Sequence, residues 1–75
     1  MEQQKIIISA KRKMLLQHLR PGKIGMVKIT PEAYNILVDM ANDSGMTLSN
    51  IASSIIIQAA SKGLIQFDIR EEENN

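Results

Sequence analysis

The chain has 75 residues, contains no cysteine and carries a formal net charge of +1. A domain this small buries a modest share of its surface, and without cysteine neither a disulfide framework nor a thiolate metal site can stabilise it, so we expect a homo-oligomer. Its apolar runs are too short to span a bilayer and lack the order of a signal peptide, so we expect a cytoplasmic protein without membrane contacts.

The small net charge hides an asymmetry along the chain. Residues 1–30 carry seven basic residues and one acidic residue, a net +6, whereas residues 31–75 carry two basic and seven acidic residues, a net −5. Basic side chains near phosphates release condensed counterions and so gain affinity for a polyanion. The N-terminal part therefore predicts a surface that binds nucleic acid.

Residues 1–22 are predicted to form a basic N-terminal arm that ends at the turn signal Pro21-Gly22. The arm is either flexible or partly helical, since Ile8, Leu15 and Leu19 could share one helical face. It serves as an accessory DNA contact, or alternatively as a solubilising segment; a membrane-surface helix is disfavoured because the chain offers no second anchor. The predicted contact residues are Lys11, Arg12, Lys13 and Arg20.

A short strand is predicted from Ile24 to Thr30, within a central domain that spans residues 23–63. Val27 and Ile29 alternate with more polar neighbours, and this period of two is typical of a half-buried strand. The run is also too short for an ordinary helix. We therefore expect Val27 and Ile29 to face a core.

Two amphipathic helices are predicted after this strand. The first runs from about Pro31 to Ser44, with Thr30 as its N-cap and Gly45 as the left-handed residue that ends it. The second begins at Thr47 or the residue before it, with Thr47 the better cap, and ends at Gly63. Their apolar faces and the inward strand residues form the predicted dimer core, which contains Val27, Ile29, Leu37, Leu48, Ile51 and Ile55.

Residues 64–75 form a C-terminal extension with an acidic tail. Apolar and polar residues alternate from Ile65 to Ile69, which predicts a short strand or an extended tail. This segment could pair with Ile6 to Ile8 or cover the second helix. Because apolar side chains continue beyond the helices, the stretch from Leu64 to Ile69 could also bind a protein partner.

The strand from Ile24 to Thr30 has no ladder partner within the predicted domain. Its backbone N–H and C=O groups would form an open edge. A second copy of the chain supplies an antiparallel partner across a two-fold axis. Such a two-stranded ribbon fits the major groove of B-DNA, and its outer face would present Ile24, Met26 and Lys28.

Four features between residues 24 and 62 follow one another in a characteristic order. They are the alternating Met26-Val27-Lys28-Ile29, the helix start Thr30-Pro31-Glu32, the spacing of Leu37, Ala41 and Gly45, and the second helix start Thr47-Leu48-Ser49. In these features about half of the chain resembles the ribbon-helix-helix family, the Arc and MetJ type of bacterial and phage repressor. The resemblance implies a mainly α intertwined homodimer, with one short strand and two helices per chain and an intermolecular two-stranded antiparallel β-ribbon.

The resemblance also implies roles for particular residues. Those that would read DNA bases are Ile24, Met26 and Lys28, and those that would bind backbone phosphate are Lys23, Thr47, Leu48 and Ser49. The phosphate role agrees with the unpaired N–H groups and positive dipole end of a helix N-terminus. The chain departs from the family in having Lys28 as the one charged residue on the outer ribbon face, which shifts base reading towards thymine-methyl contacts or the basic arm.

These observations predict a sequence-specific double-stranded DNA-binding protein, a transcriptional repressor of plasmid, phage or chromosomal origin associated with the nucleoid. It would bind palindromic or repeated operator half-sites as one dimer or as neighbouring dimers on DNA. An antitoxin whose C-terminal tail binds a toxin, and a plasmid segregation or copy-control factor, are the alternatives. We expect no enzyme activity, cofactor or metal, because the chain lacks a Cys nucleophile and a glycine-rich phosphate loop and His18 has no identifiable partner.

Overall fold

The computed structural model describes residues 4–69. Its elements are β1 (Ile6–Ala10), α1 (Pro31–Ser44), α2 (Leu48–Ser61) and β2 (Ile65–Ile69). The two helices pack against each other, and the two strands form one sheet. The described part of the chain is therefore a small unit of two helices flanked in sequence by two short strands.

Helix α1 has the boundaries that the sequence predicts, because local chemistry at both ends favours them. Thr30 lies in extended backbone, and its Oγ1 accepts a hydrogen bond from the N–H of Ala33 at 3.2 Å. Pro31 occupies the first helical position, where a backbone N–H would have no intrahelical acceptor. Gly45 ends the helix at φ +73°, a left-handed conformation that a Cβ disfavours, and donates its N–H to the carbonyl of Ala41 at 2.8 Å.

The predicted limits of helix α2 are also confirmed: Thr47 is its N-cap, and Gly63 lies just beyond its end at φ +66°. Its buried side chains are Ile51, which is 6% exposed and lines a groove beside α1, and Ala59. Within residues 4–69 these are the two side chains that the single chain buries. The apolar surface of α2 thus extends well beyond what α1 covers.

The sheet joins the N-terminal and C-terminal segments of the described chain. β1 and β2 pair in parallel, with Ile6 opposite Ile65 and Ala10 opposite Ile69. A parallel pair needs a long crossover, which the two helices supply. This pairing decides between the alternatives for the C-terminal segment, which forms a strand against the N-terminal arm.

The N-terminal arm is not helical, since residues 4–22 contain a strand and no helix. Ile6, Ile7 and Ile8 are β-branched, and such side chains lose rotamer freedom in a helix but fit a pleated sheet. The turn at Pro21-Gly22 is confirmed. There the N–H of Lys23 donates to the carbonyl of Arg20 at 3.2 Å, and Gly22 has φ +84°, as the third residue of a type II turn requires.

A strand was predicted from Ile24 to Thr30, but it does not form in the single chain. Residues 23–30 are neither strand nor helix there. The strands that do form lie elsewhere. The physical reason is the missing ladder: β1 and β2 pair with each other, and within residues 4–69 no strand lies beside residues 23–30.

The single chain is loosely assembled for its length. Its radius of gyration is 15.6 Å, whereas a compact domain of this size would have about 11 Å. Large apolar side chains are exposed in the arm, in residues 24–29 and on α2. The chain therefore presents apolar surface that its own elements leave uncovered.

Candidate nucleic-acid interface

The segment of residues 23–30, called here the ribbon segment, is exposed along its whole length. Met26, predicted to face outward, is 92% exposed, and Val27, predicted to face inward, is 86% exposed. Ile24 and Ile29 are exposed as well. Both predicted faces are thus open to solvent in the single chain, although Ile29 is 44% exposed against 89% for Ile24.

The ribbon segment leads directly into the cap of α1, which fixes the chain direction at Thr30. At its other end it begins at the turn of residues 20–23, and a Cβ on Gly25 would lie 3.3 Å from the Cδ2 atom of Leu19. The last part of the arm therefore lies against the start of the ribbon segment. This contact brings Arg20 and Lys23 into the same part of the molecule as the predicted base-reading residues.

The start of α2 has the geometry of an anion site. The Oγ1 atom of Thr47 accepts a hydrogen bond from the N–H of Asn50 at 3.2 Å, and its carbonyl accepts from Ile51 at 3.1 Å. Helix geometry leaves the N–H groups of Leu48 and Ser49 without an intrahelical acceptor. These two donors and the positive end of the helix dipole are suited to bind a phosphate oxygen.

The cap makes a first prediction. Thr47→Ala should lower the free energy of unfolding by about 1 kcal/mol, because the N–H of Asn50 loses its acceptor. Thr47→Ser is the matched control and should stay near wild type, since it keeps the hydroxyl. Urea unfolding of the three proteins at one concentration measures the difference, and equal destabilisation in both variants would show that the methyl group, not the cap, matters.

The basic side chains of the arm are exposed in the structure. They begin immediately after β1 ends at Ala10, so the sheet holds the start of the basic cluster while residues 12–20 continue without regular structure. The arm residues concerned are Lys11, Arg12, Lys13 and Arg20, and Lys23 and Lys28 are exposed with them. All six cations are therefore free of burial and open to an anionic ligand.

The residues of the predicted dimer core that lie on the helices differ in how far the single chain covers them. Leu37 and Leu48 are half-buried and Ile51 is buried, while Ile55 borders an open groove of about 360 Å³ between the helices. The ribbon residues Val27 and Ile29 are not brought into this core by the single chain.

The groove also contains residues that sequence reasoning did not assign to the site. Its lining consists of Met40, Asp43, Ser44, Met46, Ile51, Ser54 and Ile55. Met40 belongs to the apolar face of α1 and could have been found by its helical spacing. Met46 lies in the connection between the helices, where no periodicity marks it.

The chain matches no known family model, no curated protein and no solved structure. Within the described range, neither helix is both long enough and apolar enough to cross a membrane. In the same range His, Asp and Glu side chains nowhere gather in a group of three that could hold a metal ion.

Proposed function

We propose that two copies of this chain form an intertwined homodimer that binds double-stranded DNA through a ribbon made of both ribbon segments. The observation that carries the proposal is the uncovered state of the single chain. An unpaired apolar and basic segment leads directly into two capped helices, and those helices bury only Ile51 and Ala59 among residues 4–69.

Pairing across a two-fold axis supplies both the missing backbone partner of the ribbon segment and the missing cover for the helices. The ribbon segments gain a backbone ladder, and Val27 and Ile29 of each copy cover the apolar surface of the helices. Burying an aliphatic side chain of this size stabilises a protein by about 1.5–3 kcal/mol, so four such residues contribute enough to hold a small dimer together. The groove beside Ile55 is a suitable place for side chains of the second copy.

The outer face of that ribbon carries Ile24, Met26 and Lys28 from each copy. In a major groove Lys28 can donate to guanine O6 and N7, and the apolar pair can contact thymine methyl groups. Phosphates on either side lie within the reach of Lys23 and of the N–H groups at the start of α2. The protein would act as a transcriptional repressor in the nucleoid, occupying a palindromic or repeated operator.

The alternative of an antitoxin needs a C-terminal tail that is available to a toxin. In this chain the stretch from Leu64 to Ile69 is paired with β1 in a parallel ladder. This favours a repressor that acts without a second protein. A plasmid segregation or copy-control factor would use the same DNA contacts and differ only in the site it occupies.

Base reading by the ribbon predicts a specific weakening in one variant. Lys28→Ala should reduce binding to the preferred duplex by about 1–3 kcal/mol for each base that the lysine reads, and should relax preference at that position. Lys62→Ala removes the same charge beyond α2 and is the matched control. Fluorescence titration of labelled duplexes at fixed salt measures both, and equal affinities of the two variants would remove Lys28 from the reading set.

The basic arm predicts a change in salt dependence. Replacing Lys11, Arg12 and Lys13 by Gln preserves β1 and removes three cations. The slope of log affinity against log salt should become shallower by about 0.9 for each phosphate that the three cations neutralise. Titrations between low and moderate salt measure that slope, with the Lys62→Ala protein again as control. An unchanged slope would show that the cluster does not touch DNA phosphates.

A further inference from the structure

The parallel sheet of β1 and β2 lacks the cover and the further strands that stabilise such sheets in other proteins. Parallel strands are almost always found with both faces covered, and an isolated pair of strands is marginally stable in water. Here the helices pack on each other, and the sheet has at most a marginal contact with either of them. Something else has to cover or extend it.

One face of this sheet is entirely apolar. Residues opposite each other in register share a face, so Ile6, Ile8 and Ala10 of β1 lie with three residues of β2. Those three are Ile65, Phe67 and Ile69, of which Phe67 is 59% exposed. The opposite face carries Ile7 and Ser9 with Gln66 and Asp68.

The hydrogen bonds identify which backbone groups lie on the open edge of β2. The N–H of Ile6 donates to the carbonyl of Leu64 at 2.6 Å. Backbone groups of successive strand residues are directed to opposite edges, so Leu64, Gln66 and Asp68 are directed towards β1. The N–H and C=O groups of Ile65, Phe67 and Ile69 are therefore directed to the edge away from β1.

We propose that this edge of β2 pairs antiparallel with β2 of a second copy, about a two-fold axis at Phe67, to give a four-stranded sheet of order β1-β2-β2-β1. The register is self-complementary. Phe67 lies opposite Phe67, Ile65 opposite Ile69, and Gln66 opposite Asp68. Apolar side chains meet on one face and an amide meets a carboxylate on the other, so no like charges lie opposite each other.

The edge of β1 is a poorer site for the same pairing. Suppose that β1 pairs antiparallel with β1 of a second copy, with all five residues aligned. The two-fold axis then lies at Ile8. That register places Lys5 opposite Lys11 at both ends of the ladder, and directly opposed like charges destabilise a strand pair. Lysine at the ends of an exposed strand is also a common device against edge pairing. The charges therefore favour β2 as the joining edge.

This pairing uses none of the residues of the proposed ribbon. A ribbon dimer would carry two β2 edges, one from each copy, so dimers could join edge to edge into a tetramer or a row. On the basis of the proposed function, such a row would fill neighbouring operator half-sites cooperatively. The strand pairing itself needs no DNA and can be tested without it.

Single cysteines test the register directly, because the full chain contains no cysteine. In the proposed pair the Cα atoms of the two Phe67 residues are about 5.5 Å apart, within the range of a disulfide. Phe67→Cys should therefore cross-link under mild oxidation at least about tenfold faster than Ile7→Cys, which occupies a similarly exposed position on β1. Equal rates, or fastest cross-linking in Ile8→Cys, would overturn the proposal.

Two variants that each add one lysine to β2 test the same edge, through the mass of the assembly in solution. Phe67→Lys places two ammonium groups at the axis and should reduce the assembly to the ribbon dimer. Gln66→Lys adds the same charge opposite Asp68 and should preserve it. Sedimentation without DNA measures both, after circular dichroism has shown the helices intact. A Phe67→Lys protein with wild-type mass would overturn the inference, whereas cross-linking at position 67 in a protein that binds no DNA would overturn the proposed function alone.

Discussion

Val27→Asp should abolish the ribbon dimer and duplex DNA binding, so that the largest remaining assembly is two copies joined through β2. In the proposed dimer Val27 lies between the ribbon and the helices of both copies. A carboxylate there would be buried without a partner, a change that costs several kcal/mol, and the dimer contains two of them. Sedimentation velocity at micromolar concentration, followed by titration with duplex DNA, measures both effects.

Met26→Asp is the matched control for this variant. In the single chain the two positions are almost equally exposed, 92% for Met26 and 86% for Val27, so a monomeric protein would tolerate both substitutions alike. In the ribbon they lie on opposite faces. The Met26→Asp protein should keep the wild-type mass and lose DNA affinity, because its charge repels phosphates and the apolar contact of Met26 with thymine methyl groups is lost. If both variants keep the wild-type mass, the ribbon does not form.

Ile51→Ala should lower the free energy of unfolding by about 2–5 kcal/mol, because it removes a buried aliphatic side chain and leaves a cavity. Ile51 is 6% exposed and lines the groove between α1 and α2. A protein this small has little stability to lose, so the variant should be largely unfolded at 37 °C. Urea unfolding at one fixed protein concentration measures the change, since the stability of a dimer depends on concentration.

Ile57→Ala provides the control on the same helix. Ile57 is 64% exposed and lies away from the groove, and substitutions at such positions usually change stability by less than about 0.5 kcal/mol. The two variants remove the same atoms. Equal destabilisation would show that Ile57 also lies in an interface, and that the buried face of α2 has been assigned too narrowly.

The helices could be predicted from the sequence because their limits are set by neighbouring residues. Thr30 and Thr47 each accept a hydrogen bond from an N–H three residues later, and Gly45 takes the left-handed conformation that ends α1. These interactions depend on spacing of a few residues and on side-chain chemistry alone. They can be read without knowledge of the rest of the fold.

The pairing of the strands could be predicted only in part. Alternation from Ile65 to Ile69 indicates a strand, but period two carries no information about its partner. Pairing with the segment around Ile6 was one open alternative, and its parallel direction depends on a crossover through both helices. The spacing of Ile8, Leu15 and Leu19 also allowed a helical arm. Contacts between distant parts of a chain are decided by packing, not by local preference.

The exposed residues of the candidate DNA interface could be predicted from the sequence. Which face of the ribbon segment is covered depends on the proposed second chain. Lys28 and the N-cap Thr47 lie on the surface as expected. Whether Val27 faces a core depends on the proposed dimer, since residues 4–69 of one copy leave it 86% exposed. Met46 was missed because it lies in a short connection, where tertiary packing alone gives it a role in the groove.

Selection of bound fragments from random duplex DNA, with the mass of each complex measured in solution, tests the central claim most directly. The proposed dimer predicts enrichment of an inverted repeat of a short half-site, bound by two copies of the chain or by a multiple of two. It also predicts that the Val27→Asp protein enriches nothing under the same conditions. A monomer in solution that retains fragments without preference among sequences would contradict both the dimer and the DNA-binding function.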